Sequence, residues 1–187
     1  MHDSVLEWVG QALMPADVKG CRVLEVGSYD VNGSVRPTIL ALEPISYTGV
    51  DQSAGPGVDR VVGATELVET FGTGSFDVVI STEMLEHVVE WKPIIVELVN
   101  VLAPGGLLVL TTRSVGFPYH PYPVDTWRYT VEAMQQILVA AGLVMRDLVS
   151  DGQAPGVFAI ARKPFDWQGI NATPFDHVIG VTAMVAP

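Results

Sequence analysis

The chain has 187 residues, enough for one domain with a full hydrophobic core and too few for two. Hydrophobic residues make up 49% and charged ones 17%, which argues against long disorder. The 21 acidic against 10 basic residues give a net charge of −11, which repels phosphate backbones and disfavours duplex nucleic acid as a partner. The single cysteine, Cys21, excludes an internal disulfide. No apolar run reaches the roughly 18 residues of a membrane span, and the first residues lack a basic and then apolar leader, so a cytoplasmic protein is expected.

Ser4 and Glu7 have capping-box spacing, and Val5, Trp8, Val9, Ala12 and Leu13 share one face, predicting an amphipathic helix that ends before Pro15. Residues 22–26 read as a short buried strand that stops at Gly27, followed by a polar turn and a helix through Leu42. The same alternation predicts strands over 46–50, 59–62, 76–80 and 107–111. Between the last two, Pro93 suits a first helical position, Ile94, Ile95, Leu98, Val99 and Leu102 form an apolar face, and Pro104-Gly105-Gly106 ends the helix. Thr130 can cap a helix whose Met134, Ile137, Leu138 and Ala141 face the core.

Strands over 143–150 and 156–163 are joined by residues too few for a helical crossover, so they pair as an antiparallel hairpin. The expected fold is a single doubly wound α/β sheet of the Rossmann-like type. It has seven strands, mostly parallel with the last antiparallel. Residues 1–163 form the domain with its N-terminal helix. The apolar tail, 164–187, is expected to dock on it or to form a homodimer contact. Ligands of such sheets bind at the carboxyl ends of the strands.

The segment after the first strand carries Tyr29 and Asn32 where a dinucleotide fingerprint needs glycines to admit a diphosphate. A cofactor with adenosine and a charged amino-acid arm has no such need, and Glu25 suits its ammonium. S-adenosylmethionine is such a cofactor. Asp51 ends the second strand 24 residues after Gly27, where an acidic side chain accepts hydrogen bonds from ribose hydroxyls in this architecture.

In this order, Val23-Leu24-Glu25-Val26-Gly27, Gly49-Val50-Asp51, Phe76-Asp77-Val78-Val79, Leu85-Glu86-His87-Val88 and Leu102-Ala103-Pro104-Gly105-Gly106 resemble class I S-adenosylmethionine-dependent methyltransferases of the type 11 group. The resemblance covers residues 20–163. It implies that Glu25, Gly27 and Ser28 line the methionine arm and that Asp51 holds the ribose. It also implies that Gln52 flanks the adenine and that Ser81 and Thr82 border the methionine end. Two departures stand out. Tyr29 replaces a second glycine, and Gly63-Ala64 stands where an acidic residue often meets the adenine, which leaves backbone groups near Ala64 and Thr65 to do so.

Methyl transfer from a sulfonium is an in-line displacement that needs positioning more than a covalent triad. For a hydroxyl acceptor, His87, His120 and Asp125 are the candidate bases. The stretch 116–130, with Phe117, Tyr119, Tyr122, Trp127 and Tyr129 among prolines, is expected to overhang the acceptor; the plainer alternative is a rigid packed loop with Arg128 paired to a carboxylate. If residues 83–87 are helical, Glu83, Glu86 and His87 share a face and could bind a divalent metal with His120 or Asp125, as ubiquinone-pathway and small-RNA 2'-O-methyltransferases resembling this segment do. The metal is not the favoured reading. The leading expectation is methylation, at oxygen, of a small-molecule or glycan acceptor. A catalytically silent S-adenosylmethionine-binding partner subunit and a nicotinamide-dependent oxidoreductase remain as alternatives.

Overall fold

A computed structural model describes residues 2–121 and 123–185. The chain opens with helix α1 (Asp3–Ala12) and the single turn α2 (Pro15–Val18), so Pro15 starts a helical turn as well as ending the one before. The capping box expected at Ser4 does not form. The helix begins at Asp3 with His2 as N-cap, and Ser4, already inside it, donates its hydroxyl to Asp151 Oδ2 at 2.7 Å.

Seven strands build the main sheet: β1 (Arg22–Val26), β2 (Ser46–Asp51), β3 (Arg60–Val61), β4 (Phe76–Thr82), β5 (Leu102–Arg113), β7 (Val144–Ser150) and β8 (Gly156–Arg162). Their order is β3-β2-β1-β4-β5-β8-β7. Every pairing from β3 to β5 is parallel, and β8 runs antiparallel to both β5 and β7, as the short connection before it requires. Helices α3 (Arg36–Leu40), α4 (Leu67–Phe71), α5 (Trp91–Val101) and α6 (Val131–Ala140) fill the crossovers. Helix α5 starts two residues before Pro93, and Leu102 opens β5 instead of closing the helix; Gly105, at φ 81°, and Gly106 lie in an irregular stretch of that strand.

Alternate strand residues feed two cores. Val23, Val78, Ile80 and Val109 pack with Val5, Val9 and Ile39 from α1 and α3. Leu24, Val79, Leu108 and Leu110 pack with Ile95 and Leu98 of α5 and Met134 and Ile137 of α6. The Thr130 cap forms, its hydroxyl accepting the Ala133 N–H at 3.1 Å.

A second sheet was not legible in the sequence. Within the aromatic stretch, β6 (Trp127–Tyr129) pairs antiparallel with β9 (Val181–Ala183) of the tail, and Phe175 of the tail is buried against Trp91. The tail therefore packs on its own chain. Among the described residues no helix is long and apolar enough to cross a membrane.

Candidate active site

Strand β1 lies between β2, reached next in the chain, and β4, reached after the chain has reversed direction across the sheet. In sheets of this kind the connections beyond the carboxyl ends of two such strands part to opposite sides, and ligands bind at that edge. Ser28 follows β1, and Ser81 and Thr82 close β4, so all three lie at this end of the sheet. All three are buried, and none of their hydroxyls has a hydrogen-bond partner among the described residues. A buried hydroxyl left unpaired costs about 1–3 kcal/mol, so three at one edge signal a polar ligand.

Gly27 has φ 80°, and a Cβ there would meet Met84 Cγ at 2.8 Å, so both conformation and space demand glycine. The Gly27 and Ser28 N–H groups both donate to Val50 O, at 2.9 and 3.0 Å, folding the turn onto β2. Tyr29 crosses to the loop after β2: a Cβ on Gly55 would lie 2.2 Å from its ring, and Asp30 N–H donates to Pro56 O at 2.8 Å. Glu25 is buried one residue before the end of β1 and accepts the Tyr47 hydroxyl at 2.5 Å. Burial pushes its carboxyl up to about 7, against the opposing pull of Tyr47 and Arg36. Asp51 ends β2 half-buried, its Oδ1 accepting the Ser53 N–H at 2.9 Å, with Gln52 exposed beside it. Ala64 and Thr65 lie in the turn after β3, where Glu66 Oε2 accepts the Gly63 N–H at 3.1 Å. An acidic group thus reaches this turn from a position the sequence pattern did not single out.

The segment 83–87 is not one helix. Glu83 sits at φ 53°, and only Leu85–His87 form a 3-10 turn, so the shared helical face of Glu83, Glu86 and His87 does not exist. Glu83 turns instead to Arg113, a guanidinium 1% exposed that also meets Asp151 Oδ2 at 3.3 Å. Burial raises Glu83 to about 7 and the neighbouring Glu86 to about 6. Glu86 is fully buried; Thr112 Oγ1 donates to its Oε2 at 2.8 Å, while Oε1 has no hydrogen-bond partner among the described residues.

His87 Nδ1 lies 2.5 Å from Val124 O, and His120 Nδ1 lies 3.1 Å from Pro118 O. A carbonyl only accepts, so both rings carry a proton on Nδ1, which in the neutral imidazole leaves the lone pair on Nε2. The rings meet edge to face at 4.8 Å, and Glu86, His87 and His120 bring ligand atoms within 4.8 Å of one another. Among the predicted metal candidates these three converge. Glu83 is taken by Arg113, and Asp125 by Arg128 at 2.5 and 2.7 Å. The latter bonds, with the His120 N–H at 2.8 Å, outweigh burial and lower Asp125 to about 2. So engaged, Asp125 is a poor proton acceptor. The plainer expectation for Arg128 is thus what the structure contains.

In the overhanging stretch Phe117 stacks on Arg113, with the guanidinium carbon 4.4 Å from the ring centre, and meets His120 at 4.9 Å. Tyr129, expected among the acceptor-facing aromatics, belongs to the core: it is fully buried and donates to Leu85 O at 3.1 Å. Tyr122 lies outside the described residues. Arg113 was missed altogether; its one signal was a cation closing the apolar run of β5 at the carboxyl end of the strand.

The family model described as "Methyltransferase domain", type 11, matches residues 33–110. Over that stretch the chain is similar to this family. It is 32% identical over 123 residues to a ubiquinone biosynthesis O-methyltransferase of Dechloromonas aromatica, covering 58% of this chain and 50% of that protein. It is also 31% identical over 148 residues to a phthiotriol/phenolphthiotriol dimycocerosates methyltransferase of Mycobacterium leprae, covering 73% and 54%. The chain thus spans about half the length of the curated relatives it matches. In fold it is similar to an S-adenosylmethionine-dependent methyltransferase from Mesorhizobium loti, with TM-score 0.64 and 19% identity over 86% of this chain and 99% of that one. A second structural likeness is Burkholderia thailandensis 1,6-didemethyltoxoflavin-N1-methyltransferase, solved with S-adenosylhomocysteine: TM-score 0.66, 17% identity, 87% and 80% coverage.

Proposed function

We propose that this methyltransferase domain transfers the methyl group of S-adenosylmethionine to an oxygen of a small-molecule or glycan acceptor in the cytoplasm. The observation that carries the reading is the trio of unpartnered buried hydroxyls, Ser28, Ser81 and Thr82, at the β1–β4 switch point beside Asp51. The named O-methyltransferase relative supports oxygen as the acceptor atom.

When bound, the cofactor supplies a sulfonium methyl group. Ser28, Ser81 and Thr82 donate to its polar arm, Glu25 faces its ammonium, Asp51 accepts from its ribose, and Gln52, Ala64 and Thr65 border its adenine. Phe117 and Tyr119 cover the acceptor and exclude water. His120 or His87 receives the acceptor's hydroxyl proton on Nε2 as the new C–O bond forms and the C–S bond breaks. Burial lowers the His120 pKa below the ordinary value, which keeps its lone pair available at neutral pH.

Titration calorimetry tests this reading. S-adenosylmethionine and S-adenosylhomocysteine should bind and NAD should not; tight NAD binding would overturn it. Methyl transfer to a panel of hydroxylated sugars, phenols and amines then separates an active enzyme from the silent-subunit alternative.

A second reading is favoured by Glu86 Oε1. A buried carboxylate oxygen without a partner, facing two imidazoles whose Nδ1 protons are already held, suits a divalent cation. Four surrounding carboxyl groups, Glu83, Glu86, Asp125 and Asp151, outnumber the two guanidiniums, Arg113 and Arg128, and a cation would favour the ionised form of Glu86. Glu86, His87 and His120 would hold it and orient an acceptor oxygen.

A further inference from the structure

Arg128 is the central residue of β6, with its backbone fixed opposite Thr182 of β9 and its side chain 1% exposed. Its fork grips both oxygens of Asp125 and donates as well to the carbonyls of Trp127 at 2.9 Å, Pro118 at 3.1 Å and Phe117 at 3.4 Å. One guanidinium thus ties Phe117 and Pro118 to Asp125 and Trp127. The Asp125 side chain is itself fully buried. Asp125 Oδ2, held in place from behind, accepts the backbone N–H of His120 at 2.8 Å and lies 3.1 Å from its Nδ1. A planar bidentate donor fixes a carboxylate in position and rotation, which a lysine cannot do. The same fork holds the Pro118 carbonyl, which accepts the His120 Nδ1–H at 3.1 Å and so selects the Nδ1–H tautomer.

We propose that Arg128 is a positioning residue: through Asp125, which holds the His120 backbone, and through the Pro118 carbonyl, which holds its Nδ1–H, it sets the orientation and tautomer of His120, directing Nε2 to the space shared with Glu86 and His87. The part His120 plays in chemistry rests on the methyltransferase reading; the positioning does not. Burying an ion pair adds little stability, and geometric specificity is the gain it offers here.

Nitrogen-15 NMR of the histidine side chains in the full chain tests this, with EDTA present so that no cation orients the rings. The wild type should show His120 as the Nδ1–H tautomer. In Arg128→Lys, which keeps the charge and loses the fork, the signal should shift toward the averaged pattern of a free imidazole, with S-adenosylmethionine affinity unchanged. With a responsive acceptor, kcat should fall by about tenfold or more while KM for the cofactor holds. A wild-type His120 protonated on Nε2, or a variant retaining the wild-type signal, overturns the proposal. If Arg128→Lys does not fold, Asp125→Asn gives the same reading. Should the wild type bind no S-adenosylmethionine while the His120 signal shifts as stated, the functional reading falls and the positioning stands.

Discussion

Tyr47 on β2 donates its hydroxyl to Glu25 Oε2 on β1 across 2.5 Å, beneath a guanidinium, Arg36, stacked 4.7 Å from the Tyr47 ring centre. Burial nevertheless dominates and lifts Glu25 to about 7 from 4.5. The folded state therefore holds this proton more tightly than the unfolded chain. Its stabilising effect is complete below about pH 4.5 and is lost as pH rises through 7, amounting to on the order of 3 kcal/mol. Glu83 and Glu86, raised to about 7 and about 6, act in the same direction, whereas Asp125, lowered to about 2, matters only in the acid range below pH 4. Thermal unfolding should give a higher Tm at pH 5 than at pH 8, and Glu25→Gln should flatten part of that slope. An unchanged slope in the variant would remove Glu25 from the account.

Asp51→Ala should weaken S-adenosylmethionine binding at least tenfold by calorimetry. Hydrogen bonds to a charged acceptor contribute about 1.5–3 kcal/mol each, and the half-buried position costs the fold little when truncated. Wild-type affinity in this variant would place the ribose elsewhere.

Arg113→Met should destabilise the protein by about 3–5 kcal/mol, roughly a 10 °C drop in Tm, because it strands the buried Glu83 and Asp151 carboxylates. Adding Glu83→Gln to that variant should recover part of the loss, as the two residues share one ion pair. Additive losses in the double variant would show that the pair is not coupled.

Manganese or magnesium titrated into chelator-treated protein should bind at a single site, and His87→Ala and Glu86→Gln should each abolish it. Turnover that survives thorough metal removal unchanged would confine the Glu86, His87 and His120 cluster to metal-free chemistry.

The sheet was legible because buried parallel strands bounded by Gly, Pro and Asp are local signals, and the reversal of β8 follows from a short loop. The strand ends proposed to carry the cofactor were legible for the same reason, since Gly27, Asp51 and Thr82 lie where strands end. The acceptor side was not. Residues 83–87 keep a helical spacing in sequence, yet the buried Arg113 draws Glu83 into a left-handed conformation, and that attraction links residues 30 positions apart. Likewise β6 finds its partner β9 only through the tertiary fold, more than 50 residues later. Such long-range pairing leaves no periodic trace.

The Tyr29 ring resting on Gly55 has a consequence for selectivity. A nucleotide joined through two phosphorus centres must bring its bridge against bare main chain, which Tyr29 and Asn32 in the places of glycines do not offer. Discrimination against the redox dinucleotides on that ground would be steric, and it would survive changes in salt or in the charge of the surrounding surface.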